Sequence, residues 1–234
     1  KWLNSRLTNT YIQFRSKKMS ALQFKKECEE ILDALTKSDE RNPLNKLYSA
    51  HLYITQDKRQ EAKWFLDRAY KNICEDKDVV IYAYYLYLMT LITEDKDDAI
   101  RAKEKIEELY YNNEHIWQIA WLFMYLSKEL HGSAQKKWDF LKEEILKGCT
   151  SPVMYMEAVL LLNYQPTLLM ELQEAELRIL RFGQKMGMLS EQMRGIIQYL
   201  SLKEKEFSKP IYELLTAMAK EQENQELLQA ICSL

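Results

Sequence analysis

The chain has 234 residues, 47% hydrophobic and 29% charged, and its 33 Lys plus Arg against 35 Asp plus Glu leave a formal net charge of -2. A chain of this length can bury a core without disulfides or metals, and the even charge balance argues against nucleic acid, which needs clustered Lys and Arg. Five glycines, none before Gly132, and four prolines supply little of the punctuation that hairpin-rich β proteins use, while abundant Leu, Lys, Glu, Ala and Gln favour helix.

In chain order, Leu3 to Arg15 and Met19 to Lys37 read as two helices, the second with Phe24, Cys28, Ile31, Leu32 and Leu35 on one side. Pro43 to Thr55 follows as a broadly apolar helix. From Asp57 to Glu75, Ala62, Phe65, Leu66, Ala69, Tyr70 and Ile73 keep the i, i+3, i+4, i+7 spacing of one face, and Arg59, Lys63, Asp67, Arg68 and Lys71 take the other. Next comes VVIYAYYLYLM, Val79 to Met89, with no charge and four tyrosines. Extended to Thr93 it is about fifteen residues, short of the ~20 a spanning helix needs. Lys96 to Asn112 is again one-sided, through Ala99, Ala102, Ile106, Leu109 and Tyr110. Ile116 to Leu126, IWQIAWLFMYL, is apolar nearly all round, and Ser133 to Lys147 is one-sided through Ala134, Trp138, Leu141 and Ile145. After Ser190 the pattern continues through Met193, Ile196, Ile197 and Leu200, a charged loop from Lys203 to Glu206, a helix from Ile211 to Lys220 and a short helix from Gln225.

Heavily buried helices thus alternate with amphipathic ones. First-turn signals mark the buried helices at Asn42 with Pro43, Asp76 to Asp78, Asn113 with Glu114, Ser151 with Pro152, and Ser190 with Glu191, because Ser, Asp and Asn cap orphan amides and proline suits the first helical position. Counted from Pro43, Asp78, Glu114, Ser151 and Ser190, the intervals are 35, 36, 37 and 39 residues. Two helices per fixed interval of this size predict a helical solenoid, with VVIYAYYLYLM as an inner helix packed on several sides. The expected fold is all-α: a right-handed solenoid of antiparallel helical hairpins forming one domain over 1–234. Its repeats fall near 1–38, 43–76, 78–113, 114–148, 151–187 and 190–222, followed by a C-terminal helix at 225–234.

The hairpin from Lys46 to Cys74 resembles a tetratricopeptide repeat. Ala62 and Ala69 match that family's small positions in the second helix and Leu66 its large apolar position between them, while Ala50 and Tyr53 match the small and aromatic positions of the first. It departs from the family at Lys46, where tryptophan is preferred, and at Cys74, where proline is. The stretches IEELYYNNEHIWQIAWLFMYL and CTSPVMYMEAVLLLNYQPTLLMEL are similar to a family of long proteins from gut Firmicutes with no assigned function. That resemblance implies a segment of a longer bacterial protein and supplies no activity.

Chemistry-bearing patterns are sparse. His51, His115 and His131 do not pair at i+3 or i+4, nor does a glutamate precede any by three as a di-iron helix requires. None of the five glycines is followed by the Lys and Ser or Thr of a phosphate loop. Gly148 reads as a helix C-cap, and the Gly183 and Gly187 spacing as close helix packing. Cys28, Cys74, Cys149 and Cys232 are scattered, without a C-x-x-C pair or a catalytic signature; buried thiols in a reducing, cytoplasmic setting are the simpler reading. Glu107 with Glu108 and Asp97 with Asp98 sit on solvated turns.

One aromatic cluster stands out: Tyr82, Tyr84, Tyr85 and Tyr87 in one inner helix, Trp117, Trp121 and Tyr125 in the next, and His51 in the helix before. The plain reading is core packing. The functional reading takes His51, Tyr84, Tyr87, Trp117, Trp121 and Tyr125 as the lining of a concave groove, with aromatic anchors for a peptide or helix and tyrosine hydroxyls that reach water at its edge. Trp64, opposite its helix's apolar stripe, either packs on the following hairpin or marks a second contact surface. The expected function is a non-catalytic scaffold for a protein or peptide, with no cofactor, no metal, no nucleic acid and no membrane insertion. The alternatives are an all-helical enzyme with a groove site such as Glu114, His115 and Glu157, or a small-peptide sensor lacking its output domain. Partner identity and oligomeric state are open at this level.

Overall fold

Why these residues form helices is visible at their ends. Asn42 accepts from the amide of Leu44 and Pro43 occupies the first helical position, opening α3 (Pro43–Thr55) as the sequence predicts. Ser20 and Gln23 exchange side-chain and backbone bonds in a capping box that opens α2 (Ala21–Thr36). Asp95 opens α6 (Lys96–Asn112), Ser133 opens α9 (Ala134–Leu146) and Ser190 opens α12 (Glu191–Ser201), each accepting backbone N–H bonds of the first turn. The structure, a computed structural model, describes residues 2–37, 42–113, 116–202 and 208–221. The loop Lys203 to Glu206, Glu114, His115, Cys232 and the helix expected at 225–234 lie outside the described residues.

Among the described residues the chain is all-α, with thirteen α-helices and no strand. The remaining helices are α1 (Trp2–Arg15), α4 (Arg59–Tyr70), α5 (Val79–Ile92), α7 (Trp117–Leu126), α8 (Lys128–Gly132), α10 (Pro152–Tyr164), α11 (Glu174–Lys185) and α13 (Lys209–Glu221), with a 3₁₀ turn at Pro166–Leu168. No helix among the described residues is long and apolar enough to cross a membrane. The chain divides into two compact units, one through Lys128 and one from Glu129.

In the first unit consecutive helices pack on one another and the alternate helices α3, α5 and α7 stack, an arrangement compatible with a helical-repeat solenoid. Ala50, Ala62, Leu66, Ala69, Ala83 and Leu88 are wholly buried along these contacts, small residues letting backbones approach and leucines filling the space between. In VVIYAYYLYLM the tyrosines divide by helical period. Tyr82 and Tyr85 turn toward α4, where Tyr85 stacks on Tyr70 at 5.0 Å, while Tyr84 and Tyr87 turn toward His51 and Trp121. Trp64 is 49% exposed, with the Arg68 guanidinium 3.7 Å over its ring and Phe65 edge-on.

In the second unit α9, α10 and α11 pack mutually, and α12 and α13 close on α10 and α11. Gly148 ends α9's cap at φ 97, and its N–H bonds the carbonyl of Ile145, as a glycine C-cap should. Gly183 lies against α10, where an added Cβ would come within 2.8 Å of Leu189 and 3.0 Å of Val159. Two buried glutamates join helices of this unit, Glu157 with Lys137 at 3.4 Å and Glu176 with Lys142 at 3.3 Å, while the buried Glu144 pairs with Lys147 at 3.2 Å within the end of α9.

Candidate functional site

His51 stands in the third turn of α3, one turn on from the wholly buried Leu47 and next to the wholly buried Ala50. Spacings of three and four residues then put Tyr84 with Tyr87 on one face of α5, and Trp117, Trp121 and Tyr125 on one face of α7. Stacking α3, α5 and α7 aligns these three faces. His51 Nδ1 is 2.6 Å from the Tyr84 hydroxyl, and its ring meets those of Tyr84 and Tyr87 edge-on at 5.8 and 6.2 Å. Tyr84 stacks on Tyr87 at 6.5 Å, Tyr87 meets Trp121 at 6.0 Å, and Trp121 meets Tyr125 edge-on at 5.1 Å. Five of the six expected residues thus form one continuous row of rings. Trp117, half-buried one turn before Trp121, is not joined to that row by a ring contact among the described residues.

All five side chains of the row are half-buried. Burial alone pulls the His51 imidazole down to about 4, keeping it neutral at pH 7. Burial, assisted by Tyr48 and Tyr87, pushes Tyr84 well above the ordinary phenol value, and burial followed by Tyr11 pushes Tyr87 up to about 12. The Tyr84 hydroxyl is the hydrogen-bond partner of His51. The Trp121 indole N–H is fully enclosed and finds no acceptor among the described residues, at a cost of about 1–3 kcal/mol for such a group.

Sequence reading missed one member of the row. Tyr11 of α1 places its hydroxyl 3.2 Å from that of Tyr125, 114 residues away, and the Arg15 guanidinium lies 5.9 Å from the Tyr11 ring. No local pattern marks Tyr11; its role depends on a tertiary placement. Elsewhere, burial raises the thiols of Cys28, to about 11, and Cys149, which suits packing rather than nucleophilic use. Glu157, named in the enzyme alternative, lies in α10 of the second unit and holds Lys137. No group of three or more His, Cys, Asp or Glu among the described residues could hold a metal ion.

Residues 1–234 match the model of a family of unknown function, the DUF5717 N-terminal family, and the chain belongs to that family. No curated protein matches it. No solved structure does either.

Proposed function

We propose that this member of the family is a non-catalytic scaffold that binds a peptide or helix of another protein along the stacked faces of α3, α5 and α7. The observation that carries this is the row His51, Tyr84, Tyr87, Trp121 and Tyr125, drawn from three alternate helices, whose Trp121 indole N–H finds no acceptor among the described residues. Aromatic side chains offer large contact area at low entropic cost and dominate interface energetics.

The tetratricopeptide-like pattern of Lys46 to Cys74 supports the reading. Its matched positions Ala50, Ala62, Leu66 and Ala69 are all wholly buried, and Tyr53 stacks on Phe65 at 5.4 Å. Cys28, Cys74 and Cys149 stand as free thiols, which supports a reducing compartment such as the cytoplasm, and the balanced charge supports a protein partner over nucleic acid.

The test is selection of a displayed random-peptide library on the purified chain, followed by titration of selected peptides against the native chain, Trp117→Ala and Trp121→Ala. Trp121→Ala should weaken binding by more than about 1 kcal/mol, roughly fivefold, as interface anchors do. Selected peptides that bind the Trp121→Ala chain with native affinity would remove the groove assignment.

A further inference from the structure

Trp64 takes no part in the row of α3, α5 and α7, and the packing of α4 leaves it 49% exposed. Its surroundings form a second strip of rings. The Lys58 ammonium lies 5.8 Å from the Tyr53 centroid, Tyr53 stacks on Phe65 at 5.4 Å, Phe65 meets Trp64 edge-on at 4.7 Å, and the Arg68 guanidinium caps the Trp64 ring at 3.7 Å. Three aromatic rings of the α3–α4 hairpin are thus bracketed by two cations. Helical spacing produces the order: Trp64 and Arg68 are one turn apart on the exposed face of α4, while Phe65, the next residue round the helix, meets Tyr53 of α3.

The two cations lack what the cations of α6 have. On α6, Arg101 is held by Asp98, and Lys105 by Glu108 at 2.8 Å. Among the described residues neither Lys58 nor Arg68 pairs with a carboxylate, and neither do Lys63 and Lys71. Arg59 is held by Asp57 at 3.7 Å. Between 57 and 71, five cations stand against three carboxylates, in a chain whose net charge is -2. A guanidinium stacked flat on a ring still presents its edge N–H groups to a carboxylate.

We infer that this strip is a docking site, separate from the row of α3, α5 and α7, for an acidic segment of a partner protein. An apolar residue of the segment lies on Trp64 and Phe65, and carboxylates on either side of it reach Arg68 and Lys58. Trp and Arg are the side chains that most often carry interface energy, and the sign of the open charges selects the sign of the partner. A stacking contact within one helix accounts for Trp64 with Arg68 alone; it leaves unexplained the second open cation at the far end of the strip. Single-stranded nucleic acid also uses cations and rings. Here, however, Glu61 and Asp67 stand exposed one turn to either side of Trp64. A strand charged at every nucleotide meets those carboxylates, whereas a peptide with two spaced charges passes between them.

The experiment selects a displayed random-peptide library on the full native chain after depletion on a chain carrying Trp64→Ala and Arg68→Glu. Both positions are exposed, and circular dichroism verifies that the two chains have equal helix content. Depletion removes peptides that bind the row of α3, α5 and α7, which both chains keep, so failure here leaves the groove reading standing. Peptides that survive should carry Asp or Glu on both sides of an apolar residue. Synthetic versions should bind the native chain at least about tenfold more tightly than the Arg68→Glu or Lys58→Glu chain, and should lose as much when their Asp and Glu become Asn and Gln. Their affinity should fall as salt rises, and Arg68→Lys should not restore it fully, because an ammonium lacks the planar fork. The absence of any surviving peptide overturns the inference, as do survivors without acidic residues or full binding by the Lys58→Glu chain. A short oligothymidylate that binds more tightly than the selected peptides and displaces them would overturn it in favour of nucleic acid.

Discussion

Lowering the pH from 8 to 5 destabilises the first unit through His51. Its imidazole titrates near 4 in the folded chain against 6.5 when solvated, and burial is the only cause. The folded state therefore holds the ring neutral while the unfolded chain takes up a proton below about pH 6.5. The contribution to stability is complete above that pH and falls away as pH drops toward 4. The two values imply a loss of about 2 kcal/mol between pH 8 and pH 5, rising to about 3 kcal/mol below pH 4.

Carboxylates also titrate at the acid end, so the informative quantity is a difference between two chains. In His51→Asn, the amide can keep a hydrogen bond to Tyr84 but has no proton to gain. Urea unfolding followed by exchange of the α5 amides, from pH 4.5 to 8, should give a native-minus-variant stability that falls by about 2 kcal/mol from pH 8 to pH 5. A flat difference would refute the claim that burial among these rings holds His51 neutral.

Three further outcomes are expected. Gly183→Ala puts a methyl 2.8 Å from Leu189 and 3.0 Å from the stiff Val159, and the overpacking outweighs alanine's better helix propensity to leave a net loss of about 1 kcal/mol in urea melts; the same substitution should cost less in a Val159→Ala background, where the clash is relieved. Ser190→Ala removes the side-chain oxygen that accepts from Met193 N–H at 3.2 Å, and should cost about 1 kcal/mol in the second unit, read by the same melts. Amides of Tyr84 to Leu88 should exchange at the slow limit of the first unit, since Leu86 and Leu88 are buried and α5 is packed by α3, α4, α6 and α7; fast exchange there would contradict an inner helix.

The helices were legible because their signals are local. Asn42 with Pro43, Ser133 and Ser190 cap the helices they announce, and the spacing of Ala62, Leu66 and Ala69 places all three on the buried face of α4. Where a signal was local but ambiguous, the reading slipped. Asp78 makes no side-chain cap bond to α5 and instead accepts from the Cys74 amide. Ser151 precedes Pro152 as expected, yet its hydroxyl is enclosed without a partner among the described residues. The 3₁₀ turn at Pro166–Leu168 interrupts a stretch that periodicity alone did not resolve. In the aromatic cluster, membership could be read from i, i+3 and i, i+4 spacing, but partnership could not. His51 bonding to Tyr84 and Tyr11 meeting Tyr125 depend on which helices become neighbours, and nothing in one segment encodes that.

The buried glutamates of the second unit bear on how its helices can move. Apolar helix faces are nearly interchangeable from one turn to the next, so a stack held by them alone can slide. Here Lys137 and Lys142, both on α9, reach Glu157 on α10 and Glu176 on α11, carboxylates only 3% exposed. A slip of one turn would carry each lysine about 5.4 Å from its partner and strand a charge away from water, where a broken buried pair costs about 3–5 kcal/mol. Two such contacts on different neighbours act as a latch with one position. The two pairs set a single register for α9 against α10 and α11.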